Sequence, residues 1–206
     1  IYTLTMYEEA KIAVDPVIFS IKDGELKVLL HQREKDPFDK RYELPGGLLR
    51  PEEKPEKRLN QKLKNMVGKQ EIYFTQFNVF TDPDRDPRDR TISIGYIALV
   101  NKEEIENEEN WFDDRDLPEM AFDHREIISE AQKYLKENLN TVIVKQFMPK
   151  LFPLNDLQEA YEVIEQKSYD NRNFRRKMTE KNLVDKTDKK ERNVSHRPAA
   201  LYKFNE

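Results

Sequence analysis

The hydrophobic positions change period along the chain, and the changes outline two kinds of structure. Val14 to Ile21 and Leu26 to Leu30 are apolar, β-branched runs flanking Lys22-Asp23-Gly24-Glu25, whose Asp-Gly pair favours a tight turn, so a hairpin is expected. Past Pro45-Gly46-Gly47, Leu59, Leu63 and Met66 fall at i, i+4 and i+7, and Gly68 stands where a helix would stop; this predicts an amphipathic helix. Strand-like runs return at Ile72 to Phe80 and Ile92 to Val100, separated by the Pro- and Arg-rich loop Asp82 to Arg90. A second helix is expected after Asp123, with Ile127, Ile128, Ala131, Tyr134 and Leu135 on one face. Strands and helices mixed in this way predict an α/β domain over residues 11–138.

Beyond Asn138 the pattern changes, which places a domain boundary near Leu139 to Thr141 and divides the chain into residues 1–140 and 141–206. Leu154, Leu157, Tyr161 and Ile164 form a helical stripe, and Asp170 is positioned to cap a helix from Asn171 to Lys181. Two short strands, Leu183 to Lys186 and Ala200 to Phe204, bracket a polar, basic loop. This is the order of a winged helix-turn-helix.

Charge sharpens that reading. The net charge of −4 is uneven: residues 141–206 carry fourteen Lys and Arg against ten Asp and Glu, and the remainder is correspondingly acidic. Phe174 and Met178, at i and i+4, suit packing on the preceding helix, while Asn171, Arg172, Asn173, Arg175 and Arg176 point elsewhere. Arginine forks match guanine edges, asparagine matches adenine, and other cations contact phosphates, so this helix suits the DNA major groove. Lys186, Lys189, Lys190, Arg192, His196 and Arg197 make a basic wing. Asp156, Glu159, Glu162 and Glu165 lie on the preceding helix, so the cations concentrate where DNA would be read. The competing reading of this half is a module for protein partners.

Composition mostly excludes. No segment approaches the roughly 20 apolar residues of a membrane span, and Ile1 to Ala10 lacks a basic-then-apolar leader pattern, so a cytoplasmic protein without membrane contact is expected. With no cysteine, disulfides and thiol chemistry are excluded, and His31, His124 and His196 are too scattered for a histidine metal site.

The segment from Gly47 to Gly68 resembles the Nudix box, G-x5-E-x7-R-E-U-x-E-E-x-G-U with U aliphatic. Gly47, Glu53, Leu63 and Gly68 take their places in it, preceded by Pro45-Gly46. In Nudix enzymes the box helix supplies carboxylates that hold Mg²⁺ or Mn²⁺ on a diphosphate. Here R-E-U-x-E-E reads Gln61-Lys62-Leu63-Lys64-Asn65-Met66, and only Glu52 and Glu53 remain near the loop. No catalytic residue, bound metal or cofactor is therefore expected. The fold that the resemblance implies can still serve as a receptor, with Arg85, Arg88 and Arg90 gripping an anionic effector. The other reading of these arginines pairs them with Asp82, Asp84, Asp86 and Asp89 beside them.

Taken whole, the chain resembles the NrtR family of Nudix-related transcriptional regulators. Arg85-Asp86-Pro87-Arg88 runs into Ser93-Ile94-Gly95-Tyr96; Trp111-Phe112, Leu117-Pro118 and Ala121-Phe122-Asp123-His124 follow, then Asn173-Phe174-Arg175-Arg176 and Ala199 to Phe204. The resemblance implies an α+β protein with an N-terminal Nudix-like α/β/α sandwich on a mixed sheet and a C-terminal winged helix. It also implies a homodimeric repressor of NAD-metabolism or sugar-utilisation genes that binds an inverted-repeat operator and senses ADP-ribose or a pentose. The alternative is a Nudix hydrolase acting on ADP-ribose or a sugar nucleotide. Core packing is expected for Trp111, and hydrogen bonding rather than catalysis for His124.

Overall fold

A computed structural model of the chain describes residues 9–67, 74–101, 109–139, 142–192 and 197–205, without the side chains at 63, 65–67 and 142. Gly68, Ile72, Thr141 and His196 lie outside the described residues, as do the side chains of Leu63, Asn65 and Met66.

The expected hairpin is β1 (Lys11–Lys22) and β2 (Glu25–Leu29), antiparallel with Phe19 opposite Val28 and Lys22 opposite Glu25. Asp23 and Gly24 between them both have positive φ, the backbone that a two-residue turn of this hand demands. The short strands β3 (His31–Gln32) and β4 (Tyr42–Glu43) pair as a separate ribbon. Then follow β5 (Gly47–Leu48), α1 (Pro55–Val67), β6 (Phe74–Phe80), β7 (Thr91–Leu99), β8 (Trp111–Asp113) and α2 (His124–Glu137). The sheet runs β6-β7-β1-β2-β8, with β5 also on β1; β1 and β7 are parallel and the other pairs antiparallel.

Residues 13–20 of β1 are all buried because both faces of this central strand are covered. The two-residue period sorts them. Val14 meets Leu59 of α1 and Tyr96, whereas Val17 and Phe19 join Ile97, Leu99 and the α2 residues Ile127, Ile128, Ala131 and Leu135. This is the α/β/α sandwich. Trp111 packs against Ile18, Leu29, Ala98 and Val100, a core role as expected.

The C-terminal part begins with a 3-10 turn, Val142–Phe147, and continues through β9 (Phe152–Pro153), α3 (Leu154–Glu165), α4 (Asn171–Glu180), β10 (Val184–Lys190) and β11 (Ala200–Phe204). Strands β10-β11-β9 form the winged-helix sheet. Asp170 caps α4 by accepting the Asn173 N–H at 2.9 Å, worth about 1 kcal/mol of helix stability. Phe174 packs edge-on to Tyr161 of α3, with ring centroids 5.4 Å apart. Two features differ from the expectation. The strand β9 is a two-residue addition, and β10 continues to Lys190, because Lys190 pairs with Ala200 and the Thr187 hydroxyl donates to the Leu201 carbonyl across an irregular register. Lys189 and Lys190 therefore ride on a strand rather than in the loop. The largest apolar cluster of the described residues runs from Val17 to Tyr202, with α3 between α2 and α4.

Candidate functional site

The chain carries two candidate sites, one recessed and one exposed. The recessed one is a cavity of about 310 Å³ on the box side of the sheet, lined among others by Asp15, Glu43, Gly47, Arg58, Asp86 and Phe122. Asp15 is a carboxylate on the buried central strand, 4% exposed, so it must be answered by donors. It accepts from the Ser93 hydroxyl at 2.5 Å and from Arg85 Nη2 at 3.3 Å. Arg85, also buried, forks onto Asp123 through Nε at 2.8 Å and Nη2 at 2.7 Å. His124, the first residue of α2, accepts the Leu44 N–H on Nδ1 at 2.9 Å and turns Nε2 toward Asp15 at 3.8 Å. It is a hydrogen-bonding histidine, as the sequence indicated.

Glycine makes the close approach possible. A Cβ on Gly46 would fall 2.1 Å from Asp15 Oδ1 and 2.3 Å from the Val14 carbonyl, so no side chain fits there. Gly47, with φ +152°, lets the loop pass under the guanidinium of Arg58.

The loop arginines divide. Arg88 forks onto Asp86 at 2.9 and 2.7 Å, the local pairing that the sequence offered as one reading. Burial acts to raise the Asp86 carboxyl, but hydrogen bonds from Arg88 and the charges of Arg88 and Arg85 outweigh it and hold Asp86 below its usual value. Arg85 bypasses its neighbours for Asp123 and Asp15. Arg90 does not line the cavity; its Nη1 donates to the Thr81 carbonyl at 2.8 Å.

Arg33, Phe122 and Arg58 line the cavity without a site role in the sequence reading, Phe122 having appeared only within a family motif. Arg33 pairs with Glu43 and donates to the Pro37 and Lys35 carbonyls. Phe122, in the left-handed region at φ 52°, has the guanidinium carbons of Arg33 and Arg88 over its ring, 4.8 and 5.0 Å from its centroid. A bulky residue in that conformation is strained by about 1–3 kcal/mol, which points to a built site. Arg58 is the third. It sits in the unspecified spacer of the box, where pattern matching carries no signal.

Metal does not suit this cavity. Three carboxylates lining it are each matched to an arginine, Asp15 to Arg85, Glu43 to Arg33 and Asp86 to Arg88, while Glu53 stands 4.0 Å from Arg58. No cluster of three metal-ligating side chains occurs among the described residues. The box helix adds Lys62 where the Nudix pattern has a glutamate. A hard divalent cation would have to displace guanidinium groups to find oxygen donors.

The exposed site is the outer face of α4. Arg172, Asn173, Arg175 and Arg176 are exposed while Phe174 and Met178 are buried. Asn171 is partly committed: its Oδ1 accepts from Gln158 Nε2 at 2.9 Å. Gln158 also donates to Glu162 and to the Tyr169 carbonyl, locking the turn between α3 and α4. Arg176 has Glu180 one turn away at 3.9 Å. Lys189, Lys190, Arg192 and Arg197 are exposed on the wing.

A Nudix sandwich with arginine-paired carboxylates, joined through one core to a winged helix, defines the class. The NUDIX domain model matches residues 11–131, and the NrtR DNA-binding winged helix domain model matches 144–204. The chain belongs to the NrtR family. It is 31% identical over 214 residues to the ADPR responsive transcriptional repressor NtrR of Acinetobacter baylyi, covering 98% of this chain and 85% of the relative. It is 32% identical over 134 residues to the ADP-ribose pyrophosphatase of Methanocaldococcus jannaschii, covering 63% of this chain and 77% of that enzyme. Among solved structures, Shewanella oneidensis NrtR complexed with a 27mer DNA superposes with a TM-score of 0.82 at 28% identity, over 94% of this chain and 93% of that one. The Nudix domain of the same protein, complexed with ADP ribose, gives 0.52 at 28% identity over 65% of this chain and 94% of that one. No described helix is long and apolar enough to cross a membrane.

Proposed function

We propose that this chain is a DNA-binding transcriptional repressor whose affinity for its operator is set by ADP-ribose held in the Nudix cavity. The observation that carries the reading is the pairing of an exposed arginine face on α4 with a recessed, arginine-lined cavity that lacks a metal cage. Relatives of both functional kinds point to one ligand: the repressor's name gives ADPR as the signal, and the pyrophosphatase's gives ADP-ribose as the substrate. In this chain the metal-binding glutamates are replaced by Lys62, Asn65 and Met66, which favours holding the ligand over cleaving it.

Residues 1–140 form the sensing domain and 141–206 the DNA-binding domain, a division supported by the separate spans of the two family models. Arg172, Asn173, Arg175 and Arg176 read bases; Lys189, Lys190, Arg192 and Arg197 contact phosphates; Asn171 contributes while keeping its bond to Gln158. Of the loop arginines, Arg88 is the best placed to touch the effector, since its side chain is 45% exposed at the cavity. Arg85 positions Asp123 and Asp15, and Arg90 supports the loop. A homodimer presents two α4 helices to an inverted repeat.

A thermal-unfolding titration tests the sensing half. ADP-ribose at 100 times its dissociation constant stabilises the protein by about 2.7 kcal/mol, and pentoses at the same concentration do not. Stabilisation by a pentose alone would move the effector to the sugar class.

A further inference from the structure

The four arginines lining the Nudix cavity differ in what their donors do. Arg33, Arg85 and Arg88 are bonded to carboxylates or carbonyls. Arg58 donates no hydrogen bond to any described residue. Its Nε is buried without a partner, and its nearest carboxylate oxygen, Glu53 Oε1, stands at 4.0 Å, beyond hydrogen-bond reach. An unpaired, desolvated guanidinium nitrogen is costly, and it is tolerated where a ligand supplies the acceptor. Arg58 also sits where such a ligand would arrive: it lies on the first turns of α1, its guanidinium is 3.1 Å from where a Gly47 side chain would begin, and it lines the cavity beside Arg88. Lys62 follows it by one turn on the same side of the helix, at the position of a box glutamate. At Lys62 the box helix thus carries a cation where Nudix enzymes offer a carboxylate to a metal.

We infer that Arg58 stands in for the divalent cation of Nudix enzymes, so that this chain binds the diphosphate of its ligand directly and without metal. The inference rests on the sensor reading of the cavity but extends it to a residue and a metal requirement. Two forked N–H groups fit two diphosphate oxygens, and Gly47 leaves room for the approach. Glu53, 4.0 Å away, is a neighbouring charge too distant to hydrogen-bond Arg58.

The experiment titrates the full chain with inorganic pyrophosphate and with ADP-ribose by calorimetry, each in EDTA and in excess Mg²⁺. Wild type binds both in EDTA, and Mg²⁺ does not tighten either. Arg58→Ala weakens both about ten- to hundredfold, Arg58→Lys less, and Glu53→Gln leaves them equal or tighter because a repelling charge is lost. Thermal unfolding of each variant without ligand establishes that it is folded, and Arg58→Gln serves if the alanine variant is not. Binding that requires Mg²⁺, Arg58 variants that bind like wild type, or a Glu53→Gln variant that loses Mg²⁺-supported binding overturns the inference. Absence of pyrophosphate binding overturns it too. If pyrophosphate binds through Arg58 and ADP-ribose does not, the inference stands and the effector reading falls.

Discussion

The Nudix cavity and the outer face of α4 use arginine in opposite ways. In the cavity, Arg33, Arg85 and Arg88 are matched to carboxylates within a folded network, and Arg85 with Asp15 is almost wholly buried. On α4, Arg172 and Arg175 stand in solvent, and Arg176 has only a distant, exposed Glu180. Buried arginines shape a site and hold the fold together, and exposed ones are left available to a partner. The same residue type therefore has its largest effect on stability in one region and on binding in the other.

The largest effect of a single substitution is expected at Arg85. Arg85→Ala leaves Asp123 and Asp15 without their cation, and removal of one partner from a buried pair costs about 3–5 kcal/mol. Urea unfolding followed by circular dichroism should show that loss. A loss within the roughly ±0.5 kcal/mol of surface substitutions would mean that the cavity network contributes little to the fold. Next in size, Arg175→Ala or Arg176→Ala should cost about 1–3 kcal/mol of sequence-specific DNA binding with unfolding unchanged, measured by fluorescence anisotropy on operator and scrambled duplexes. Smallest are Lys189→Ala and Lys190→Ala. Each should weaken binding to all sequences alike and make the salt slope shallower by about one unit for each phosphate it no longer neutralises.

The two regions are also unequally legible in the sequence. The α4 face follows from a local rule: Phe174 and Met178 at i and i+4 fix the buried side, and Arg175 and Arg176 between them face out. The β1–β2 hairpin, both sandwich helices and α3 are readable for the same reason, since each repeats its period within a few residues. The cavity is not. Arg85 has four aspartates within four residues, yet its partners are 38 and 70 positions away. Asp15 does carry a signal, because a carboxylate inside an apolar strand run needs a buried donor, but that signal names no partner. Arg58 and Phe122 owe their roles to a glycine loop and to a left-handed backbone that no periodicity encodes. The full length of β10 is hidden because Asp188, Lys189 and Lys190 read as loop, although an exposed strand paired on one edge accepts such residues.

If the cavity and the α4 face are coupled through the core they share at α3, filling one changes what the other binds. The direct measurement is an anisotropy titration of the full chain on inverted-repeat DNA from upstream of its own locus and on random duplex, with and without saturating ADP-ribose. The predicted result is a preference for the inverted repeat of roughly a thousandfold or more, and an affinity for it that changes when ADP-ribose is added. Equal affinity for both duplexes, or an operator affinity indifferent to ADP-ribose that binds the cavity, would contradict it.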